Sequence, residues 1–283
     1  MIRALAAGTM FDRRFRIVRP LGTSFSAETY EAVRVETARR VALRLIHDSL
    51  ADFAPFADRF DQSIAQYRSL RDEVVAIEDA GRATHGTMFV ATEFMETRCV
   101  VGAPVPWQRV AAIMMRICGA LDAMQAAGIA DRRLDTTKVY WSGSEEQAKL
   151  DAVGLLLDGR DLPAPDAGEG VRRWWPGVQI PASWLEYASP ERLMGKSLDA
   201  RSDVYSAGVV AYELLTGRRP FAEAVGPAGL ITMQLKRVPA PPSCVIPDIP
   251  TACDDVVLRC LAKARDDRYP DPRALRDALR ALA

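Results

Sequence analysis

Residues 187–221 read YASPERLMGKSLDARSDVYSAGVVAYELLTGRRPF, and this stretch decides the fold. Its first motif is Ser189-Pro190-Glu191, and its last runs from Glu213 to Phe221. The residues from Asp203 to Thr216, which run into the last motif, are predicted to form a helix. Each short motif is a weak signature by itself, whereas an ordered series that runs without a gap is a strong one.

The length and the charge of the chain limit its class. A chain of 283 residues is long enough for a single domain with a substantial core. Lys and Arg total 37, as do Asp and Glu, so the formal charge is zero and favours neither nucleic acid nor an anionic membrane. No run reaches the ~18 apolar residues that a membrane helix needs, and we expect no membrane segment in this chain.

The cysteines indicate a reducing compartment. Their number, five, is odd, and they form no CxxC pattern. This argues against a disulfide framework and against a zinc ribbon. We therefore expect a cytoplasmic protein.

Periodicity predicts a β-rich first part and a helical second part. The predicted strands are Arg16 to Leu21, Thr29 to Val35, Arg40 to Ile46, Val74 to Ile77 and Met88 to Phe94, with a helix from Pro55 to Leu70. The later predicted helices are Trp107 to Ala127, Asp203 to Thr216 and Asp254 to Ala264. Residues 158–181 are rich in Gly and Pro and are predicted to form a long ordered loop.

Several motifs occur together in the order of the protein kinase motif set. They are Leu21-Gly22, Val41-Ala42-Leu43-Arg44, Gly128-Ile129, Ser189-Pro190-Glu191 and Asp203-Val204-Tyr205-Ser206-Ala207-Gly208. The sequence resembles a bacterial Ser/Thr protein kinase domain over nearly its whole length. The resemblance implies a two-lobed α+β fold, with an antiparallel β-rich N-lobe at residues 11–95 and a larger helical C-lobe at residues 98–283.

The resemblance assigns structural roles to four residues. Glu191 should form a buried ion pair with Arg268 under the activation segment. Asp203 should cap the backbone of the catalytic loop, and Arg132 keeps the middle position of that loop's motif.

Two charged positions of the family are altered, the strand Lys that binds the phosphates and the helix Glu that holds this Lys. Arg44 stands where the family has a strand Lys, and a broad planar guanidinium does not readily replace a compact ammonium. Ser63 stands where the family has a helix Glu, so Arg44 is predicted to lack its usual carboxylate partner. Asp61 is a possible substitute, although it lies roughly 200° around the helix from position 63.

The metal-binding and base positions are also altered. Ala152 replaces the Asp that binds magnesium, and Asp151 beside it should point to the opposite face of an extended segment. Lys138 replaces the Asn of the second metal site and should repel a cation. Arg133 replaces the base Asp and cannot accept a proton. We therefore expect no bound metal ion and no intact catalytic residue.

The nucleotide pocket is partly recognisable. The glycine-rich loop keeps Gly22 as the first of the family's three glycines, so its hold on phosphates should be weak. Tyr140 stands where a smaller floor residue is usual and should narrow the pocket. We expect no cofactor, with ATP and magnesium binding weak or absent. The other recognisable pocket residues are Leu21, Ala42, the gatekeeper Thr92, and the hinge residues Glu93 and Met95.

Tryptophans mark what should be the activation segment. Trp174, Trp175 and Trp184 are interleaved there with arginines. Large aromatic side chains of this kind usually pack a loop onto the core, but Trp and Arg also dominate interface hot spots. They therefore indicate either loop packing or a surface for a partner.

The departures together predict a pseudokinase, which is a kinase-like domain that is not an enzyme. It would act as a signalling scaffold or allosteric regulator through protein contacts, with an active Ser/Thr kinase or one of its substrates as the partner. Two alternatives stay open. One is a reconfigured nucleotide-dependent phosphotransferase that uses Asp131, Asp135 or Asp151, and the other is a passive interaction module.

Overall fold

A computed structural model describes residues 5–24, 26–52, 54–70, 74–96, 102–129, 134–141, 147–152 and 185–282. The chain divides into two compact units. The N-terminal unit consists of Met1–Glu96 and Asp151–Asp161, and the C-terminal unit consists of Thr97–Leu150 and Leu162–Ala283. Asp151 is thus grouped with the N-terminal unit, which matters for the candidate site.

The N-terminal unit is built on one antiparallel sheet of six strands, in the order β1-β2-β3-β4-β6-β5. The strands are β1 Met10–Phe11, β2 Phe15–Thr23, β3 Ala27–Arg34, β4 Arg40–Ile46, β5 Ile77–Arg82 and β6 Met88–Glu93. Phe15, Leu43 and Phe89 lie in the core of this unit. Strand β4 pairs with both β3 and β6, and every residue in it after Arg40 is buried. Any polar side chain on the rest of β4 must therefore find a partner inside the unit.

Two helices follow the central strand, α1 Asp48–Ala51 and α2 Ala54–Arg68. Phe56, Phe60, Ile64 and Tyr67 are all buried, as their spacing of three and four predicts. The predicted strand from Val74 to Ile77 is wrong, because the strand observed there is β5, which begins at Ile77 and ends at Arg82.

The C-terminal unit is helical. The α-helices among its described residues are α3 Trp107–Ala126, α4 Pro190–Leu193, α5 Ala200–Thr216, α6 Gly226–Lys236, α7 Pro242–Val245, α8 Thr251–Cys260 and α9 Pro272–Leu282. Helix α3 packs against α9 and α5. Helix α5 ends at Gly217, whose φ of 73° suits a residue without a side chain. Among the helices in the described ranges, none is both long and apolar enough to cross a membrane.

A short hairpin follows α3 in this unit. A 3₁₀ turn, Thr136–Lys138, leads into β7 Val139–Tyr140, which pairs with β8 Lys149–Leu150. Asp151 comes directly after β8 and belongs to the N-terminal unit.

One buried amide fixes helix α6 to the segment before α4. Gln234 is fully buried, and its Nε2 donates to the carbonyl oxygens of Glu186 at 2.7 Å and of Leu185 at 3.4 Å. The Tyr205 hydroxyl of α5 donates to Gln234 Oε1. The polar side chain is therefore satisfied inside the unit and orders the segment that begins at Leu185.

Candidate functional site

A buried ion pair lies at the centre of the candidate site. Arg44 Nη2 donates to Asp151 Oδ2, and the two side chains are only 7% and 4% exposed. Arg44 Nη1 also donates to Thr92 Oγ1 at 3.3 Å. A buried charge is tolerated when it is paired and hydrogen-bonded, and here each charge neutralises the other. The ion pair thus places a cation and a carboxylate within the N-terminal unit.

The carboxylate partner of Arg44 is not the one considered in the sequence analysis. Ser63 is buried on α2 and carries no charge, while Asp61 is exposed. Arg44 therefore pairs with no helix carboxylate, and Asp151 supplies its carboxylate partner from 107 positions further along the chain. The spacing of residues along a helix cannot predict a contact between residues so far apart in the sequence.

The expectation that Asp151 and Ala152 point to opposite faces, which would make Asp151 a poor metal ligand, stays a prediction. Leu150, Asp151 and Ala152 are all buried, and the Asp151 carboxylate contacts Arg44. The apolar neighbours Leu150 and Ala152 were the signal in the sequence that the Asp151 carboxylate would be buried. A carboxylate inside an apolar run needs a cation nearby.

Two residues of the predicted nucleotide pocket lie side by side in the sheet. Ala42 and Thr92 are directly paired across β4 and β6, and they are 8% and 1% exposed. The Glu93 carboxylate accepts a hydrogen bond from the Ala76 amide at 2.8 Å and so steadies the strand end. Leu21 and Met95 are half-buried. That these residues line a nucleotide pocket stays a prediction.

The turn between β2 and β3 is closed by a serine hydroxyl. Gly22 has a φ of 152°, which residues with a side chain rarely adopt. Ser24 Oγ accepts hydrogen bonds from the amides of Ser26 at 3.2 Å and Ala27 at 3.1 Å. These are amides of the loop that cradles phosphates in the family that the chain resembles. A phosphate that binds to these amides would have to displace the hydroxyl.

The residues fit a magnesium ion only if a nucleotide brings it. Ala152 is fully buried and has no side-chain oxygen. In the part of the chain that the structure describes, no three His, Cys, Asp or Glu side chains group into a metal site. Magnesium in proteins often uses one or two carboxylates together with substrate phosphates. Asp151 could supply one such carboxylate, and the ion's chemistry would be to neutralise phosphate charge.

The catalytic-loop positions are described only in part. Asp131, Arg132 and Arg133 lie outside the described residues, so their predicted roles stay predictions. Asp135 is buried, and its Oδ1 accepts one hydrogen bond from the Thr137 amide at 2.7 Å and another from the Thr137 hydroxyl. Asp135 therefore caps the 3₁₀ turn.

Two other predicted residues lie near this loop in the C-terminal unit. Lys138 is half-buried at the end of the 3₁₀ turn, and Tyr140 is buried on β7. That Lys138 repels a metal ion and that Tyr140 narrows the nucleotide pocket both stay predictions. Trp174, Trp175 and Trp184 lie outside the described residues, as does the predicted loop at 158–181.

A network that the sequence analysis missed anchors the segment after the catalytic loop. The Glu213 carboxylate on α5 accepts hydrogen bonds from the Tyr187 hydroxyl and from Thr136 Oγ1, the latter at 3.2 Å. Tyr187 Oη and Thr136 Oγ1 are 3.0 Å apart. Burial and the Glu213 charge raise the pKa of Tyr187, so its hydroxyl stays protonated and able to donate. This network ties the 3₁₀ turn to α5.

Arg268 and Glu191 form the ion pair that the resemblance implies. Both of the Arg268 terminal nitrogens reach the Glu191 carboxylate, which also accepts from Ser202 Oγ at 2.6 Å. Burial alone would raise the pKa of Glu191, but these hydrogen bonds outweigh it and hold the pKa at about 2. Asp203 is buried in the first turn of α5, and its capping role stays a prediction.

Comparison with known proteins identifies the family. Residues 15–278 match the protein kinase domain. The chain belongs to the protein kinase family. Two relatives from Myxococcus xanthus are the serine/threonine-protein kinases Pkn1, 33% identical over 95% of this chain, and Pkn2, 30% identical over 96%. The chain spans 38% and 33% of their respective lengths.

Solved structures show the same fold. The kinase domain of Mycobacterium tuberculosis PknI superposes with a TM-score of 0.68 at 23% identity, covering 99% of this chain and 100% of that one. The predicted protein-kinase fold, with an antiparallel β-sheet lobe and a helical lobe, is thus confirmed.

The relatives correct one expectation. The altered motif positions predicted that the chain is not an enzyme. However, proteins that align with almost the whole chain at 30–33% identity are named serine/threonine-protein kinases. The prediction is therefore wrong, and the comparison points to an enzyme.

Proposed function

We propose that this chain is a nucleotide-dependent phosphotransferase of the Ser/Thr protein kinase class, with a nucleotide site rebuilt around Arg44 and Asp151. The buried Arg44–Asp151 ion pair carries the proposal, because it keeps a cation and a carboxylate beside Thr92 although the family's usual partners are absent from the sequence. The names of the Myxococcus xanthus relatives support the reaction class.

The altered motif positions determine how strongly the proposed site binds ATP and magnesium. Phosphoryl transfer depends on positioning and on charge neutralisation. Arg44 can supply one cation for the phosphates, while Ser24 occupies two amides of the phosphate loop. Asp151 supplies a single carboxylate for a nucleotide-borne metal ion. We therefore propose that ATP and magnesium bind weakly and that transfer is slow.

The catalytic base is proposed to differ from that of the family. Arg133 cannot accept a proton, and Asp135 uses its carboxylate to cap the 3₁₀ turn. Because a protein kinase relies mainly on positioning and charge, a rearranged site without the usual base is expected to retain part of the rate.

The free thiols of Cys118, Cys244, Cys253 and Cys260 fit a reducing cytoplasm as the place of action.

Phosphate transfer from ATP tests the proposal. The purified chain would be incubated with millimolar ATP labelled at the γ-phosphate, with magnesium or manganese, and with a Ser/Thr-rich protein acceptor. We expect metal-dependent label on Ser or Thr, and we expect Arg44→Gln to lower the rate ~100-fold by removing a preorganised charge. Arg40→Gln is the matched control, since Arg40 lies on the same strand but is exposed. Folded protein that transfers no phosphate with either metal would contradict the proposal.

A second proposed function is contact with a signalling partner through the C-terminal unit. A cavity of about 180 Å³ is lined by Leu185, Phe221, Pro227 and Leu230 together with the ion-paired Glu186 and Arg219, and Val225 beside it is 89% exposed. Apolar surface of this kind suits protein contacts. Binding of an active Ser/Thr kinase domain should weaken in Val225→Asp but not in Val35→Asp, a change at an exposed valine of the N-terminal unit. Equal binding by both variants would contradict this function.

A further inference from the structure

Lys263 lies among aromatic side chains of the C-terminal unit. It follows α8, and its side chain is half-buried. Its Nζ lies 4.7 Å from the centre of the Phe221 ring and 5.4 Å from that of Tyr205, and it donates a hydrogen bond to Tyr205 Oη at 3.2 Å. Among the described residues, no carboxylate forms an ion pair with it. The amine is thus held by two rings and one hydroxyl.

The groups around Lys263 favour its uncharged form. Arg268, a permanent cation, lies 4.9 Å from the centre of the Tyr205 ring, and its own carboxylate partner is Glu191. Burial and the charge of Arg268 lower the pKa of Lys263 from 10.5 to about 8. Burial also raises the pKa of Tyr205, so its hydroxyl stays protonated. Near neutral pH, the uncharged fraction of this amine is then on the order of 100-fold larger than that of an ordinary lysine.

An uncharged lysine amine is a nucleophile, and enzymes obtain one in this way, by an apolar pocket or a neighbouring cation. Lys263 has both, in its two rings and in Arg268. Its lone pair can attack the carbonyl carbon of an activated acyl group. A C–N bond forms, the bond from the acyl carbon to phosphate oxygen or thiol sulfur breaks, and the amine proton passes to the solvent. The product is an amide without charge.

We propose that Lys263 is a site of covalent acylation by small acyl phosphates or acyl thioesters. Acylation removes the cation from the faces of the two rings. One of these rings, that of Phe221, also lines the cavity beside α6, so the modification acts on a wall of that cavity. This inference goes beyond phosphate transfer and does not depend on it.

Site-resolved acylation of the wild-type chain tests the inference. The folded chain would be incubated with acetyl phosphate or with acetyl-coenzyme A, and acetylation of each lysine would be followed by peptide mass spectrometry. Lys196 and Lys236 are exposed in the same unit and serve as internal controls. Near neutral pH, we expect Lys263 to be acetylated about 10-fold faster than either control, because more of its amine is uncharged. A fast reaction with only one donor would assign the site to that class of donor.

Unfolding and pH separate this local effect from a general reactivity of lysines. In the folded chain, the rate at Lys263 should rise up to a pH of about 8 and level off above it. Denaturing urea removes the rings and Arg268 from Lys263 and should abolish its advantage over Lys196 and Lys236. The inference would be overturned if Lys263 in the folded chain reacted no faster than these two lysines, or if its advantage persisted in urea.

Two variants test the effect of acylation on the cavity wall. Lys263→Arg keeps a cation beside the rings, whereas Lys263→Gln resembles the uncharged amide. We expect K263Q and the acetylated wild type to melt at a lower temperature than the untreated wild type, with K263R between them, because a cation over an aromatic face is stabilising. Lys196→Gln removes an exposed cation and should melt with the wild type. Equal melting of K263Q and K196Q would overturn the effect on the wall, and the rates in the wild-type chain test the modification even if a variant does not fold.

Discussion

Arg268 Nη1 donates to Glu191 Oε1 at 2.8 Å, and Arg268 Nη2 donates to Glu191 Oε2 at 2.9 Å. This bidentate pair is fully enclosed, with 0% and 2% of the two side chains exposed. Removal of one partner from such a pair leaves a buried charge without compensation. We expect Glu191→Gln to lower the free energy of unfolding by about 3–5 kcal/mol, as measured by urea denaturation.

An exposed ion pair on α9 provides the control for this prediction. Arg280 Nη1 lies 2.9 Å from Asp277 Oδ1, and the two side chains are 65% and 56% exposed, respectively. Asp277→Asn should therefore change the free energy of unfolding by at most about 1 kcal/mol. Equal losses in the two variants would show that the enclosure of Glu191 does not matter.

The same pair predicts how stability depends on pH. The pKa of Glu191 falls from its ordinary value of 4.5 to about 2, since hydrogen bonds from Arg268 and Ser202 outweigh the effect of burial. A lowered pKa means that the stabilisation is fully present above pH 4.5 and is lost as the pH falls towards 2. The stability difference between wild type and E191Q should therefore shrink over this window. A difference that stays constant down to pH 2 would contradict the assignment.

A glycine on α5 is required by close packing. A Cβ atom at Gly208 would lie 2.5 Å from Cys260 Cβ and 3.2 Å from Leu261 Cδ2. Because Cys260 Cβ is attached directly to the backbone, it cannot move aside easily. Gly208→Ala should destabilise the fold by about 1–3 kcal/mol in thermal or chemical unfolding.

Gly229 on α6 is the matched control, because a Cβ there would meet nothing within 4 Å. Gly229→Ala should stabilise the fold by up to about 1 kcal/mol through helix propensity. If both alanine variants were equally stable, the close approach of α5 to α8 would be wrong.

The hydroxyl of Ser24 is predicted to limit nucleotide affinity. It occupies the amides of Ser26 and Ala27, which an incoming phosphate would need. Ser24→Ala should therefore bind ATP with magnesium about 2- to 10-fold more tightly, the value of one ordinary hydrogen bond, in a direct titration. Ser69→Ala removes an exposed hydroxyl of the same unit and should leave the affinity unchanged. Weaker binding by S24A would mean that the turn helps to hold the nucleotide.

Most helices and strands could be predicted because the spacing of their apolar residues in the sequence matches the face that is buried. The predicted bounds of β4 are the observed ones, and α3 differs by one residue at its end. Strand β5 was misplaced because Val74 and Val75 are the more apolar residues, whereas β5 is polar and lies at the edge of the sheet. An edge strand with half-buried side chains leaves little periodic signal.

The candidate site was harder to predict than the fold. The altered positions, such as Arg44 and Ala152, could be read from motif order alone. The partner of Arg44 could not, because Asp151 reaches it through tertiary structure, and neither local spacing nor helix geometry encodes that contact. The Ser24 turn and the Glu213 network were missed for the same reason, since hydroxyl hydrogen bonds depend on the folded backbone.

The claim that Arg44 and Asp151 form a working nucleotide site is tested most directly by thermal melting with ATP. Wild type and R44Q/D151N would be melted with ATP alone and with ATP plus magnesium. A ligand at ~100 times its dissociation constant adds ~2.7 kcal/mol to stability. We predict that ATP with magnesium raises the melting temperature of the wild type, that ATP alone does so much less, and that the double variant does not respond. No shift in folded wild-type protein, or an equal shift in both proteins, would contradict the claim.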